Sequence, residues 1–158
     1  MTGSIPGALP RAVSDLCAED FDEVVRIDAL HTGAAKPDYW RTVFHSFLEE
    51  TAPRLRVGLA ARHGGGLDGF LLGEVRAFEF GSEACGWVFG VGVDPTGVRA
   101  GVGTALLEEA CRRFRSAGVT SVRTMVVRND IPVLSFFRAS GFVAGSFVQL
   151  EAKLEEGP

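Results

Sequence analysis

The stretch VDPTGVRAGVGTALLEEACRRF, Val93 to Phe114, constrains the fold of this chain more than any other. It reads as the end of a strand, a proline turn, three glycines and then a long amphipathic helix. From Val102 onward Leu106, Leu107, Ala110, Cys111 and Phe114 make one apolar stripe at helical spacing. Glu108 with Arg112 and Glu109 with Arg113 stand four residues apart on the polar face, and Gly118 supplies a stop. Glycines at such a junction let the backbone approach a ligand, and the first helical turn offers unpaired N–H groups and a partial positive charge to an anion. The same glycines also suit a tight turn with close helix–sheet packing.

Elements are expected on both sides of this junction. Residues 1–10 are rich in glycine and proline and read as a flexible N-terminal arm before a domain spanning 11–158. Leu9–Val13 suits a short strand. Cys17, Phe21, Val24 and Val25 give the stripe of a helix over Cys17–Leu30, with acids near its start. HTGAAKP is a loop, and Pro37 opens a second helix with Trp40, Val43, Phe44, Phe47 and Leu48 on one face. Strands are expected over Arg56–Arg62, Asp68–Phe80, Glu83–Val93 and Val119–Val127. The first two are joined by the HGGG turn. Pro132–Ser140 is a short helix, and Phe142–Leu154 is extended. The alternation predicts an α/β (α+β) domain on one mixed sheet.

Composition narrows the function classes. A chain of 158 residues, 46% apolar, can bury a sizeable core. A net charge of −4 gives no whole-molecule attraction for nucleic acid. No apolar run approaches a membrane span, and the N-terminus lacks the pattern of a signal peptide. Cys17, Cys85 and Cys111 form no CxxC pair and no metal-ligand spacing. A reduced, cytoplasmic protein that binds no metal is expected.

Phosphate-binding motifs can be tested by counting. GxxxxGK[ST] does not occur, and a GxGxxG started at Gly101 meets Leu106 at its last position. GxSxG is absent as well. What remains, VDPTGVRAGVG, resembles motif A of the GNAT superfamily of N-acetyltransferases, with Val93, Pro95, Gly101 and Gly103 in register. The family's Gln/Arg position is occupied by Val98, and Arg99 stands one place along. MVVRNDIPVLSFFRASGF, Met125 to Phe142, resembles the family's motif B, and the order of elements from residue 11 to 154 fits too.

The resemblance implies a single, mostly antiparallel mixed sheet of six or seven strands, with about four helices on its two faces. It implies acetyl-CoA as co-substrate and an amine as acceptor. The main chain of Val91 and Val93 would meet the pantetheine arm. The turn formed by Val98, Arg99, Ala100, Gly101, Val102, Gly103 and Thr104 would meet the pyrophosphate, and Asn129, Asp130, Phe136 and Phe137 would contribute from motif B. Many members carry a general-acid tyrosine where this chain has Phe137. The single tyrosine, Tyr39, is the candidate acid and Glu74 the candidate base. Pairing of Glu74 with Arg76 or Arg123 is the alternative, and Glu83 is a lesser candidate base. His31, Asp38 and Tyr39 are expected to flank the acceptor. Direct transfer of acetyl to a small molecule, a peptide N-terminus or a lysine is the expected reaction, by a monomer or homodimer. Phe137 motivates a rival reading, a non-catalytic acyl-CoA-binding module. A simple nucleotide or phosphate binder would leave motif B unexplained.

Overall fold

Alternating apolar residues in successive segments build an antiparallel meander, and the helices cover its two faces. The computed structural model describes residues 12–49, 54–77, 79–97 and 101–154. The predicted arm lies outside them. Two units divide the chain, the first ending at Met125 and the second starting at Val126. The first holds five strands: β1 (Ala12–Asp15), β2 (Arg56–His63), β3 (Gly66–Arg76), β4 (Cys85–Val93) and β5 (Val122–Arg123). They lie in the order β1-β2-β3-β4-β5; the first four are antiparallel, and β5 runs parallel to β4. Gly64 and Gly65, at φ of 60° and 87°, make the tight turn between β2 and β3.

Helices α1 (Phe21–Thr32) and α2 (Pro37–Leu48) pack on one face of the sheet. Val24, Ile27, Trp40 and Phe44 meet Ala60, Phe70 and Leu72 there. Trp40 is core, as the head of its stripe should be. Its ring stands edge-on to Phe70 at 5.3 Å, and its indole N–H donates to Asp28 at 3.0 Å. Helix α3 (Val102–Ser116) covers the opposite face, where Val57, Leu59, Leu71 and Val88 point by alternation. These four are fully buried, as are Val102, Leu106 and Phe114 on the helix. Burial of each such side chain contributes roughly 1.5–3 kcal/mol. Gly118, at φ 82°, ends the helix as expected.

The first helix starts later than its apolar stripe suggests. A single 3-10 turn occupies Ala18–Asp20 because the Asp20 carboxylate folds back to accept from the Cys17 N–H at 2.9 Å and pairs with Arg62. His31 and Thr32, expected in the loop, complete the last turn of α1.

Among the described residues there are five strands, against the six or seven expected. The segment Val119–Val127 pairs with β4 only at Val122 and Arg123. No strand forms over 142–154, where Val143, Leu150 and Leu154 are about 90% exposed. Ladder hydrogen bonds define a strand, and β-branched alternation without them does not make one. In the second unit, α4 (Ile131–Ala139) is capped by Asp130, whose carboxylate accepts from the Val133 N–H at 3.2 Å. Phe137 is buried, with the rings of Phe136 and Phe142 at 5.0 and 5.1 Å.

Helix α3 lies close to the sheet. A Cβ placed on Gly86 would stand 2.7 Å from the ring of Phe114, which is wholly buried and has nowhere to move. Gly86→Ala is expected to cost about 1–3 kcal/mol by overpacking. Adding Phe114→Leu should return part of that loss, so that the double variant is less destabilised than the sum of the singles. Urea unfolding of the four chains of this cycle checks it.

Candidate functional site

The site is built on an irregularity in β4. Val88 stands opposite Gly73 and Gly90 opposite Leu72, which leaves Phe89 as an extra residue, a β-bulge. Phe89 and Gly90 both turn to the α1/α2 face. The Phe89 ring meets Phe47 at 5.5 Å, and a Cβ on Gly90 would stand 3.4 Å from Leu72. The ladder to β5 ends at the same point, at Trp87 opposite Arg123. The Thr124 hydroxyl then donates to the Val88 carbonyl at 2.9 Å. Beyond Val88, among the described residues, no strand pairs with β4 on that side.

The exposed edge has a defined polarity. The Asp94 N–H donates to the Asp68 carbonyl at 2.8 Å, so these two residues form a hydrogen-bonded pair. Antiparallel pairs alternate. Val93 opposite Gly69 and Val91 opposite Leu71 therefore turn their N–H and C=O groups away from β3, into the open edge. His31 reaches this edge: its Nε2 lies 2.6 Å from the Val93 carbonyl oxygen. A carbonyl only accepts, so that nitrogen carries the proton. Gly92 serves packing instead, since a Cβ there would stand 2.5 Å from the Phe70 ring.

After β4 the chain is clamped. Asp94 accepts from the Thr96 N–H at 2.8 Å and from its hydroxyl at 2.7 Å, and Arg26 of α1 donates to it at 2.8 Å. The Thr96 and Arg26 bonds hold the Asp94 carboxyl well below its ordinary range, at about 2. Val98, Arg99 and Ala100 lie outside the described residues. Gly101 follows at φ 86° and opens α3 with no side-chain cap and no acid in the first turn. The N–H groups of Val102, Gly103 and Thr104 thus have no helical acceptor. The Val102 side chain is buried and anchors the turn.

Beside the bulge, a cavity of about 250 Å³ opens between the helices and the sheet. Asp28, Lys36, Tyr39 and Trp40 line it from α1, α2 and their connection, and Phe70, Leu72, Phe89, Gly90 and Val91 from the sheet. Lys36 forms an ion pair with Asp28 at 3.0 Å. Tyr39 is half exposed, edge-on to Trp40 at 5.2 Å. Glu74 lines a second cavity of about 300 Å³ with Arg54, Arg56, Arg76 and Glu79, and it pairs with Arg76 at 3.0 Å. The two candidate catalytic residues are therefore not brought together. Glu83, expected on a strand, is exposed before β4, which begins only at Cys85. Asp38 faces solvent and pairs with Arg41 at 2.5 Å.

Burial pushes the Cys111 thiol up, and burial with the Asp20 bond raises that of Cys17, so neither is an activated nucleophile. In the second unit Asn129 is exposed, Asp130 caps α4, and the Phe136 and Phe137 rings meet edge-on. Sequence reasoning missed Asp28, Lys36, Phe89 and the Arg26–Asp94 clamp. Only the last left a signal, since Asp-Pro-Thr is a combination that favours an aspartate-capped turn.

Comparison with known proteins bears on this geometry. The sequence profile of the Acetyltransferase (GNAT) family matches residues 21–142. A mycothiol acetyltransferase from Saccharomonospora viridis is 28% identical over 141 residues, covering 87% of this chain and 44% of its own length. The chain thus spans less than half of that curated relative. An aminoglycoside N-acetyltransferase solved with CoA superposes with a TM-score of 0.79 at 15% identity, over 95% of this chain and 99% of its own. A ribosomal-protein-alanine N-acetyltransferase from Brucella melitensis biovar Abortus 2308 gives 0.71 at 16% identity, over 92% and 100%. These structures share the fold.

The clamp predicts a pH dependence. The folded Asp94 carboxyl titrates at about 2 against an ordinary 3.8, so its contribution to stability is complete above about pH 4 and is lost as pH falls toward 2. The stability difference between the natural chain and Asp94→Asn should be constant from neutrality to about pH 4 and shrink below it. Urea unfolding at successive pH values reads this directly.

Proposed function

The chain belongs to the acetyltransferase (GNAT) family, and from that premise we propose that it transfers acetyl from acetyl-CoA directly to an amine. The observation that carries this reading is the open edge of β4, followed by the Asp94 clamp and, from Gly101, by a helix N-terminus with no side-chain cap among the described residues. The main-chain groups of Val91 and the N–H of Val93 are available to hydrogen-bond an amide-bearing arm as though it were another strand, while His31 holds the Val93 carbonyl. The first-turn amides of Val102, Gly103 and Thr104, with the α3 dipole, suit a pyrophosphate. No acid in that turn opposes the charge, and the glycine at 103 leaves the backbone approachable.

Acetyl-CoA supplies an activated thioester, and the protein's part is to hold it beside the acceptor. The cavity next to the bulge receives the amine, which must react without its extra proton. A free amine of pKa ~10.4 is mostly protonated at neutrality. Tyr39, bordering that cavity, is the proposed donor to the departing thiolate. A thiol of pKa ~8.5 leaves tolerably without much help, so Phe137 at the family's tyrosine position does not preclude the reaction. Cys17 and Cys111 are held as thiols and Cys85 is buried, which supports direct transfer without a covalent intermediate. The small-molecule acceptors of aminoglycoside enzymes and the peptide acceptor of a ribosomal-protein enzyme are both compatible with a site of this kind.

Calorimetric titration with acetyl-CoA, with ATP and pantetheine as controls, tests the cradle. Acetyl-CoA is expected to bind much more tightly than either, and no binding at millimolar concentration would sink the reading. Turnover against a panel of amines then separates an enzyme from a non-catalytic acyl-CoA-binding module, which would bind acetyl-CoA and acetylate nothing. In an active enzyme, Tyr39→Phe is expected to lower kcat by about 10²-fold or less, with acetyl-CoA affinity unchanged. Steady-state kinetics of the variant decides it.

A further inference from the structure

The cavity beside the bulge already holds an ammonium group of its own. Lys36 Nζ lies 3.0 Å from Asp28 Oδ2 and 6.0 Å from the centre of the Tyr39 ring. The same carboxylate oxygen accepts from the Trp40 indole at 3.0 Å. A carboxylate fixed by an indole donor and flanked by aromatic rings is a recognition site for an alkylammonium. The two partners differ in how firmly they are held. The Asp28 side chain is 15% exposed and tied to the buried Trp40, whereas that of Lys36 is 43% exposed at the start of α2. An ion pair so open at its cationic end is weakly held, and the lysine can swing into solvent.

The geometry points to Asp28 as the anchor for a cationic group of the acceptor, with Lys36 as the chain's own occupant of that subsite. An incoming ammonium displaces Lys36 and takes its place between Asp28 and Tyr39. Resting on the acetyl-transfer reading above, this site narrows the acceptor class. An ammonium paired with a carboxylate is held in its charged form and has no lone pair with which to attack. The reacting nitrogen is therefore a second one, and the acceptor is an aliphatic di- or polyamine. Its free, neutral nitrogen attacks the thioester carbonyl carbon and forms the C–N bond. The C–S bond breaks, and the departing thiolate ends with the proton that the nitrogen gives up. Asp28 acts as a positioning and specificity-determining residue, and Lys36 as an internal competitor that cations must outbid.

The two residues then have opposite effects, which separates this role from a structural one. The full chain is titrated by calorimetry with cadaverine, and with pentanol as the neutral control. Cadaverine should bind and pentanol should not. Asp28→Asn keeps an oxygen for the Trp40 N–H but loses the charge, and should weaken cadaverine by about tenfold or more. Lys36→Met removes the competitor and should tighten it about three- to tenfold. In thiol-release assays with acetyl-CoA, cadaverine should be acetylated in preference to pentylamine. The inference is overturned if Lys36→Met leaves cadaverine binding unchanged or weaker, if Asp28→Asn leaves it intact, or if the Lys36→Met chain fails to bind cadaverine at about 10 mM. A parallel acetyl-CoA titration reports on the acetyl-transfer reading separately, because cadaverine binding does not need the thioester.

Discussion

Helix α3 approaches the sheet so closely that three positions beneath it, Gly69, Gly73 and Gly86, have no room for a side chain. A Cβ on Gly69, Gly73 or Gly86 would stand 2.7–2.9 Å from the nearest atom, with Val102 and Phe114 among the atoms met. Everything at the site depends on this contact. It fixes the helix axis against β3 and β4, and so brings the first turn of α3 to the carboxyl end of β4. A larger residue at any of these three positions would lift the helix and carry its free amides away from the strand edge. The fully buried Phe114 ring, lying over Gly73 and Gly86, is the pivot.

The second determinant is the bulge at Phe89. One extra residue bends β4 away from β5, and the parallel ladder ends after two pairs. The consequences fall on both faces of one short segment. Toward β5 the main chain of Val91 and the Val93 N–H have no strand partner among the described residues, and the Val93 carbonyl meets His31; toward α1 and α2 the Phe89 side chain becomes a wall of the cavity beside the bulge. A single irregularity thus serves the cradle and the cavity together. The Arg26–Asp94 contact joins the two from the other side, since Arg26 belongs to the helix that also carries Asp28.

Much of this is legible in the sequence because it is periodic or glycine-marked. The stripe from Val102 to Phe114 places α3, and Pro37 places the start of α2. The glycine at 101 marks the first turn of α3, because only a residue at ease with positive φ can end the loop there so sharply. Partner choice is less accessible. Glu108 and Glu109 each have an arginine four residues on, yet Glu109 takes both Arg112 and Arg113, at 2.7 and 2.8 Å. Those bonds hold its carboxyl at about 2. The cavity beside the bulge is legible at Tyr39 and Val91 but not at Asp28 and Phe89, which come together through the packing of α1 on a bent strand. The C-terminal segment shows the converse: its alternation is strand-like, but ladder bonds depend on a neighbour that composition cannot supply.

The open stretch of β4 has a meaning for the life of the chain beyond the proposed chemistry. A row of free N–H and C=O groups in extended conformation is a template for any other strand, and folded proteins generally shield such edges. Here the edge is short, its end bends at Asp94, and the His31 ring covers the Val93 carbonyl. A ligand that lies along the edge fills the place of a missing strand and, by binding only the folded chain, draws the equilibrium away from open forms. The supply of that ligand in the cell would then govern solubility and lifetime, and starvation for it would expose the protein at an edge where a second strand can add.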